Sequence, residues 1–170
     1  MAVKWIGAAL VMTACGSIGF LLASMYRRQE GELGQLIQIL EYMSCELTYR
    51  LTPLPELCLK AGGQAHGQIK DVFLTLSKIM EERVAPDGDQ CMEEALEKYP
   101  QLLWKTRQAL SSLGLSLGHF DLEGQLKGLD TAVSFCKHEQ EAMRVNKTER
   151  LRTYQTMGLC AGAALVILLI

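Results

Sequence analysis

Six cysteines and three histidines are the residues of this 170-residue chain best suited to hold a metal or attack a substrate. Chelation from one helix needs ligands three or four positions apart, on one face. Cys136 and His138 are two apart, so they point to different faces. His66 lies in a glycine-rich turn and His119 beside a helix start. The cysteines, at 15, 45, 58, 91, 136 and 160, contain no CxxC pair. No local signature joins a cysteine or serine to a base, as nucleophilic catalysis requires. The stretch from 62 to 67 has the glycine spacing of a phosphate loop. Gln68 and Ile69 stand where Lys and Ser/Thr would be needed, however, and no strand precedes it. Glu81-Glu82 and Glu93-Glu94 are adjacent rather than facing, and read as solvated surface. The expectation is a protein that is not an enzyme, with no metal and no cofactor.

Contacts are better supported than catalysis. Between 81 and 97 seven acids (Glu81, Glu82, Asp87, Asp89, Glu93, Glu94 and Glu97) face one Arg83. They read either as a solvated face or as a docking patch for a basic partner, with Glu93, Glu94 and Glu97 at its centre. Gly158-x-x-x-Gly162 permits close approach of another helix in a membrane. Ala9, Thr13 and Ser17 offer a small-residue face that suits it, through the chain's own packing or a partner's.

These residues need elements to position them, and charge outlines those elements. The chain is 49% hydrophobic and 21% charged, too apolar for a disordered protein. Its net charge of −2 argues against nucleic acid as a partner. All 19 Asp and Glu lie between Glu30 and Glu149, with only 12 of the 17 Lys and Arg, so this middle stretch carries −7. The ends are positive or uncharged. From Trp5 to Tyr26 run 22 uncharged residues, roughly 33 Å as helix and enough for a hydrocarbon core of about 30 Å. Lys4 precedes them and Arg27-Arg28 follows. From Tyr154 to Ile170 run another 17, about 25 Å and the lower limit for a span, flanked by Arg150 and Arg152. A signal peptide fits the first run less well, since its apolar part is shorter and the paired arginines are out of place. Met12-Thr13-Ala14-Cys15 is a poor lipoprotein cleavage box. The expectation is two transmembrane helices. Positive residues beside them place the middle domain in the cytoplasm, where the cysteines stay reduced.

The middle shows helical periodicity and no sustained alternation. Leu33, Leu36, Ile37, Leu40, Met43, Leu47 and Leu51 mark a first helix, with Gly31 and Gly34 weakening its start. Thr52-Pro53-Leu54-Pro55 interrupts it. A second helix is expected from 53 to 61, capped by Thr52, with Glu56 paired to Lys60 and Gly62-Gly63 as its stop. Ile69, Val72, Phe73, Leu76, Ile79 and Met80 mark a third. After the loop at 85–89, Cys91, Met92, Ala95 and Leu96 give a fourth. Leu103, Trp104, Leu110 and Leu113 give a fifth. Leu122, Leu126, Leu129, Val133, Cys136 and Met143 mark a last helix capped by Asp121, with no breaker before the second span. The predicted fold is all-α, a bundle of about five to six helices over 29–152, between anchors at 1–28 and 153–170.

Several of these segments resemble the stage III sporulation protein AB family of endospore-forming bacteria. Glu46-Leu47-Thr48-Tyr49-Arg50-Leu51-Thr52-Pro53-Leu54-Pro55-Glu56 is similar to the family's segment before its second helix. Leu117-Gly118-His119-Phe120-Asp121 with Gln125 resembles its LG-x-x-D-x-x-x-Q element. Arg152, Tyr154, Met157-Gly158 and the tail from 165 to 170 look like its terminal anchor, with Met157 where Leu is usual. The resemblance implies a membrane component of a sporulation complex between mother cell and forespore. It also implies a cytoplasmic bundle similar to the platform proteins of type II secretion and type IV pilus systems. The implied partners are a cytoplasmic secretion-type ATPase and other membrane subunits, with a homo-oligomer possible. Candidate contact residues are then Thr52, Pro53, Leu54 and Pro55 at the helix junction, and Gly118, Asp121 and Gln125 at the start of the last helix. The alternative is a membrane-tethered sensor or adaptor for a soluble regulator.

Overall fold

The computed structural model describes residues 27–82, 87–118 and 121–169, with side chains through position 145. Among them are six helices and no strand. Helix α1 covers residues 27–50. It is followed by α2 (Leu54–Gln64), α3 (Gly67–Glu82), α4 (Gly88–Glu97), α5 (Trp104–Gly114) and α6 (Leu122–Leu169). Two units are distinguished: Gly31–Gln140, and Met1–Glu30 together with Glu141–Ile170. The first contains the bundle. In the second the described backbone is helical.

Helix α1 forms because Leu33, Leu36, Leu40, Met43 and Leu47 recur at three- and four-residue spacing, and all are buried. Leu51 was expected to extend this stripe and does not. The helix ends at 50, Leu51 turns to φ +51°, and its side chain is 66% exposed. Helix α2 also departs from expectation. It passes through Gly62 and Gly63 and closes at Gln64, where the Ala65 N–H donates to the Ala61 and Gly62 carbonyls. Gly62 is a packing position rather than a stop: a Cβ there would lie 2.9 Å from a Leu74 methyl on α3. The left-handed residue that turns the chain is Gly67, at φ +61°.

Helices α2 and α3, α3 and α4, and α4 and α5 pack in succession. Phe73, Leu76, Leu57 and Met92 are fully buried. The Ser77 hydroxyl donates to the Pro55 carbonyl at 2.8 Å, and the Thr75 and Tyr99 hydroxyls meet at 3.0 Å. Helix α4 opens on an Asp87 cap that accepts from the Asp89 N–H at 3.1 Å. Gly88 faces the Leu117 carbonyl so closely that a Cβ would lie 1.8 Å from its oxygen, so no other residue fits without moving backbone. At the far end, the Arg107 guanidinium donates to the carbonyls of Leu96 (2.8 Å) and Tyr99 (2.9 Å), adding to the backbone bonds these oxygens accept from the Tyr99 and Leu102 N–H groups.

In α5 the expected stripe is shifted. Leu110 and Leu113 are buried, but their partners are Thr106 and Ala109, while Trp104 is 66% exposed. Counting back from Leu110 by four reaches Thr106, and Trp104 falls about 200° away from it at 100° per residue. Helix α6 buries Leu129, Ala132, Val133 and Cys136, whereas Leu122 at its first turn is exposed. Lys137 reaches Glu41 on α1 at 2.7 Å, and Lys105 on α5 pairs with Glu139.

Among the described residues, no helix is long and apolar enough to cross a membrane. The expected first span, 5–26, lies outside those residues. Helix α6 runs on without a break to Leu169, but the side chains of the expected second span lie outside them too.

No disulfide joins Cys45, Cys58, Cys91 or Cys136, and only Cys45 of these is exposed. Burial, with the Cys91 thiol adding to it, pushes the Cys58 thiol from 9.0 up to about 12. Burial and then Glu139 push Cys136 up to about 11. Both stay protonated at neutral pH, and the thiolate is the reactive form. Iodoacetamide at pH 8 followed by mass spectrometry should mark Cys45 and spare Cys58, Cys91 and Cys136 until denaturant is added. Because the folded values are raised, the stability these thiols contribute is complete below pH 9.0. It falls as pH climbs through the alkaline range towards the folded values, which alkaline unfolding curves of Cys58→Ala and the wild type would show.

Candidate partner-docking surface

The junction between α1 and α2 is organised by one carboxylate. Glu46 is 8% exposed, one turn before α1 ends. Its oxygens accept from the Arg50 guanidinium at 3.2 Å, the Thr52 hydroxyl at 3.2 Å and the Lys60 ammonium at 3.4 Å. Lys60 also meets Glu56 at 3.0 Å, the pairing expected from their spacing. The hydrogen bond to Glu56, then that to Glu46, holds the Lys60 ammonium above its ordinary pKa. A buried carboxylate needs such donors, because desolvation would otherwise favour its neutral form.

This arrangement corrects the expected cap. Thr52 is buried and turns its hydroxyl back to Glu46 rather than forward onto α2. Pro53 is the residue before the helix and makes no side-chain cap; the first helical residue is Leu54, and Pro55 follows where its missing N–H costs nothing. The Pro53 carbonyl accepts from the Leu57 N–H at 2.9 Å. Of the four residues named at this junction, Thr52 is therefore internal, Pro53 is exposed, and Leu54 and Pro55 are half-buried.

Gly118, Asp121 and Gln125 belong to a different junction, between α5 and α6. Gly118 is exposed at φ +83°, a backbone state that favours glycine. Asp121 caps α6 as expected, accepting from the Gly124 N–H at 3.0 Å, and its carbonyl accepts from the Gln125 N–H at 3.0 Å. His119 and Phe120, between them, lie outside the described residues.

On α4, Glu93 and Glu97 are exposed four residues apart, while Glu94 is half-buried and pairs with Lys98 at 3.5 Å. Asp87 serves as a cap. Like charges four apart on a helix cost about 0.2–0.5 kcal/mol, so Glu93 and Glu97 do not add to helix stability. Gly158 and Gly162 sit within α6, where side chains lie outside the described residues.

Cys136 is buried and His138 exposed, the divergence that their spacing demands. Among the described residues, no group of three His, Cys, Asp or Glu side chains is placed to hold a metal ion.

Leu51, Trp104 and Leu122 of the expected stripes are exposed, and so is Tyr49, which no stripe included. Tyr49 is 81% exposed, Leu51 66% and Trp104 66%. Leu51 follows Leu47 by four residues and so imitates the buried stripe. The signal against that reading was the Thr-Pro directly after it, which forces the helix to end first.

The pattern of the stage III sporulation protein AB family matches residues 4–170. Stage III sporulation protein AB of Bacillus subtilis (strain 168) is 22% identical over 173 residues, covering 98% of this chain and 98% of that protein. A solved structure of a stage III sporulation protein AB is similar with a TM-score of 0.63 at 18% identity. It covers 72% of this chain and 98% of its own.

The Glu46 cluster has a measurable weight. Glu46→Ala should lower unfolding free energy by about 1.5–3 kcal/mol, the range for hydrogen bonds to charged groups. Arg50 and Lys60 return to water on its loss, which keeps the cost below that of a stranded buried charge. Thr52→Val should cost about 1 kcal/mol, since both cations remain. Urea denaturation of the three proteins checks the order.

Proposed function

The chain belongs to the stage III sporulation protein AB family, and from that premise we propose that it is a membrane-anchored, non-catalytic subunit of a sporulation complex between mother cell and forespore. Its helical bundle serves as the cytoplasmic platform for a secretion-type ATPase, beside other membrane subunits. What chiefly supports this reading is the extent of the family pattern. It runs from residue 4 to 170 and so takes in both apolar end segments together with the bundle.

The chemistry fits a platform. A platform needs a stiff body, surface that its own fold does not consume, and attachment close to the bilayer. The stiffness comes from the successive packing of α2 on α3, α3 on α4 and α4 on α5. The surface is of two kinds: carboxylates at Glu93 and Glu97, and apolar groups at the α1–α2 junction. Attachment is assigned to the uncharged runs at 5–26 and 154–170, each long enough or nearly so to cross hydrocarbon as a helix. Gly158 and Gly162 would let the second run pack closely on a neighbouring helix. Arg27, Arg28, Lys147, Arg150 and Arg152 lie on the bundle side of these runs, which supports a cytoplasmic bundle by the positive-inside rule.

Two experiments test this. An export-dependent phosphatase joined after Ile170 should be active, and the same enzyme joined after Ala65 should be silent; the opposite pattern would overturn the orientation. The second is a binding measurement with the purified ATPase and the full chain in nanodiscs. Glu93→Lys with Glu97→Lys should weaken binding roughly fivefold in 0.1 M salt, where the Debye length is about 10 Å, and have much less effect in 1 M salt. Equal binding at low salt would return these carboxylates to plain surface.

A further inference from the structure

We infer that Tyr49, Arg50 and Leu51 form the tip on which the cytoplasmic ATPase of the platform reading docks, through an apolar pocket edged by a carboxylate. The inference rests on the platform reading above and assigns the contact within it. It starts from Leu51. A left-handed backbone is one that glycine or asparagine takes at lower cost than a branched apolar residue. Leu51 adopts it at φ +51° and leaves its side chain 66% exposed, so burial within this chain does not offset the strain. Two positions earlier, Tyr49 is 81% exposed. Both apolar groups stay largely in solvent in the folded chain.

Their neighbours are held firmly. Glu46, Leu47 and Thr52 are buried, and Glu46 ties Arg50, Thr52 and Lys60 into one cluster. Pro53 and Pro55 stiffen the chain beyond. The exposed tip therefore stands on an ordered base, and docking it costs little further freedom. Tyr and Arg are also the side chains that most often carry binding energy at an interface.

Charge selects the occupant. Arg50 is the only ionised residue between positions 47 and 55. It gives one nitrogen to Glu46, yet its side chain is 69% exposed, so the rest of its planar fork can meet a second carboxylate. The tip thus presents an aromatic ring, an aliphatic side chain and one cation, which an apolar cleft with an acidic rim complements.

The test measures binding of the purified cytoplasmic ATPase to the full chain in nanodiscs, alongside thermal melting. Leu51→Gly should weaken binding at least tenfold while the melting temperature holds or rises, because glycine relieves the strain. A purely structural leucine would instead lower it. Tyr49→Ala should weaken binding similarly, and Thr48→Ala, an exposed neighbour, should leave it unchanged. Wild-type binding that both substitutions leave intact overturns this inference and spares the platform reading. Absence of wild-type binding overturns both. If Leu51→Gly also lowers the melting temperature, Tyr49→Ala decides: retained binding overturns the inference and lost binding upholds it. Substitutions that change self-association by light scattering, or binding to anionic vesicles, but not ATPase binding, assign the tip to another occupant and overturn the inference.

Discussion

A buried carboxylate with three donors around it is the constraint on which this end of the bundle depends. Glu46 closes α1 by holding Arg50 in the last turn, receives Thr52 just past the reversal, and draws in Lys60 from α2. Without these contacts the Thr-Pro sequence would still end the helix, but the direction in which the chain leaves it would rest on α2 packing and the Ser77–Pro55 bond alone. The apolar stripe of α1 supplies the larger share of free energy through burial. The carboxylate supplies direction, because hydrogen bonds have geometry and the hydrophobic effect has almost none.

The same division of labour recurs along the chain. Apolar faces bring α2 to α3 and α4 to α5, and polar contacts decide where each helix begins and stops. Asp87 and Asp121 open helices with their carboxylates. Arg107 ties α5 to the end of α4 by bonding the Leu96 and Tyr99 carbonyls, which the backbone turn there also uses. Gly88 and Gly128 mark places where backbone or side chain approaches so closely that a methyl group would not fit. The bundle is thus specified by a modest number of directional contacts laid over a general apolar pattern.

That pattern was readable in the sequence because a period of 3.6 needs no partner to be seen. The number and order of the helices, the Asp121 cap and the Glu56–Lys60 pair all depend on residues within a few positions of one another. What could not be read depends on residues far apart. Thr52 resembles a helix cap until its hydroxyl is seen to turn back to Glu46, where Lys60 also converges. Gly62-Gly63 resembles a helix stop until Leu74 is seen to need the space. Leu51 and Trp104 have the composition of core residues, and only the exact helix ends show that they face outward. The candidate contacts divide in exposure in the same way: Pro53 and Glu93 are exposed, and Thr52 is internal.

The occluded hydroxyl of Thr52 has a bearing on covalent regulation. Its oxygen is enclosed and already donates its proton to a carboxylate. A phosphoryl group there would set two further negative charges against Glu46 with no room to separate. Modification at this site could therefore follow only local unfolding of the junction, and it would trap the opened form.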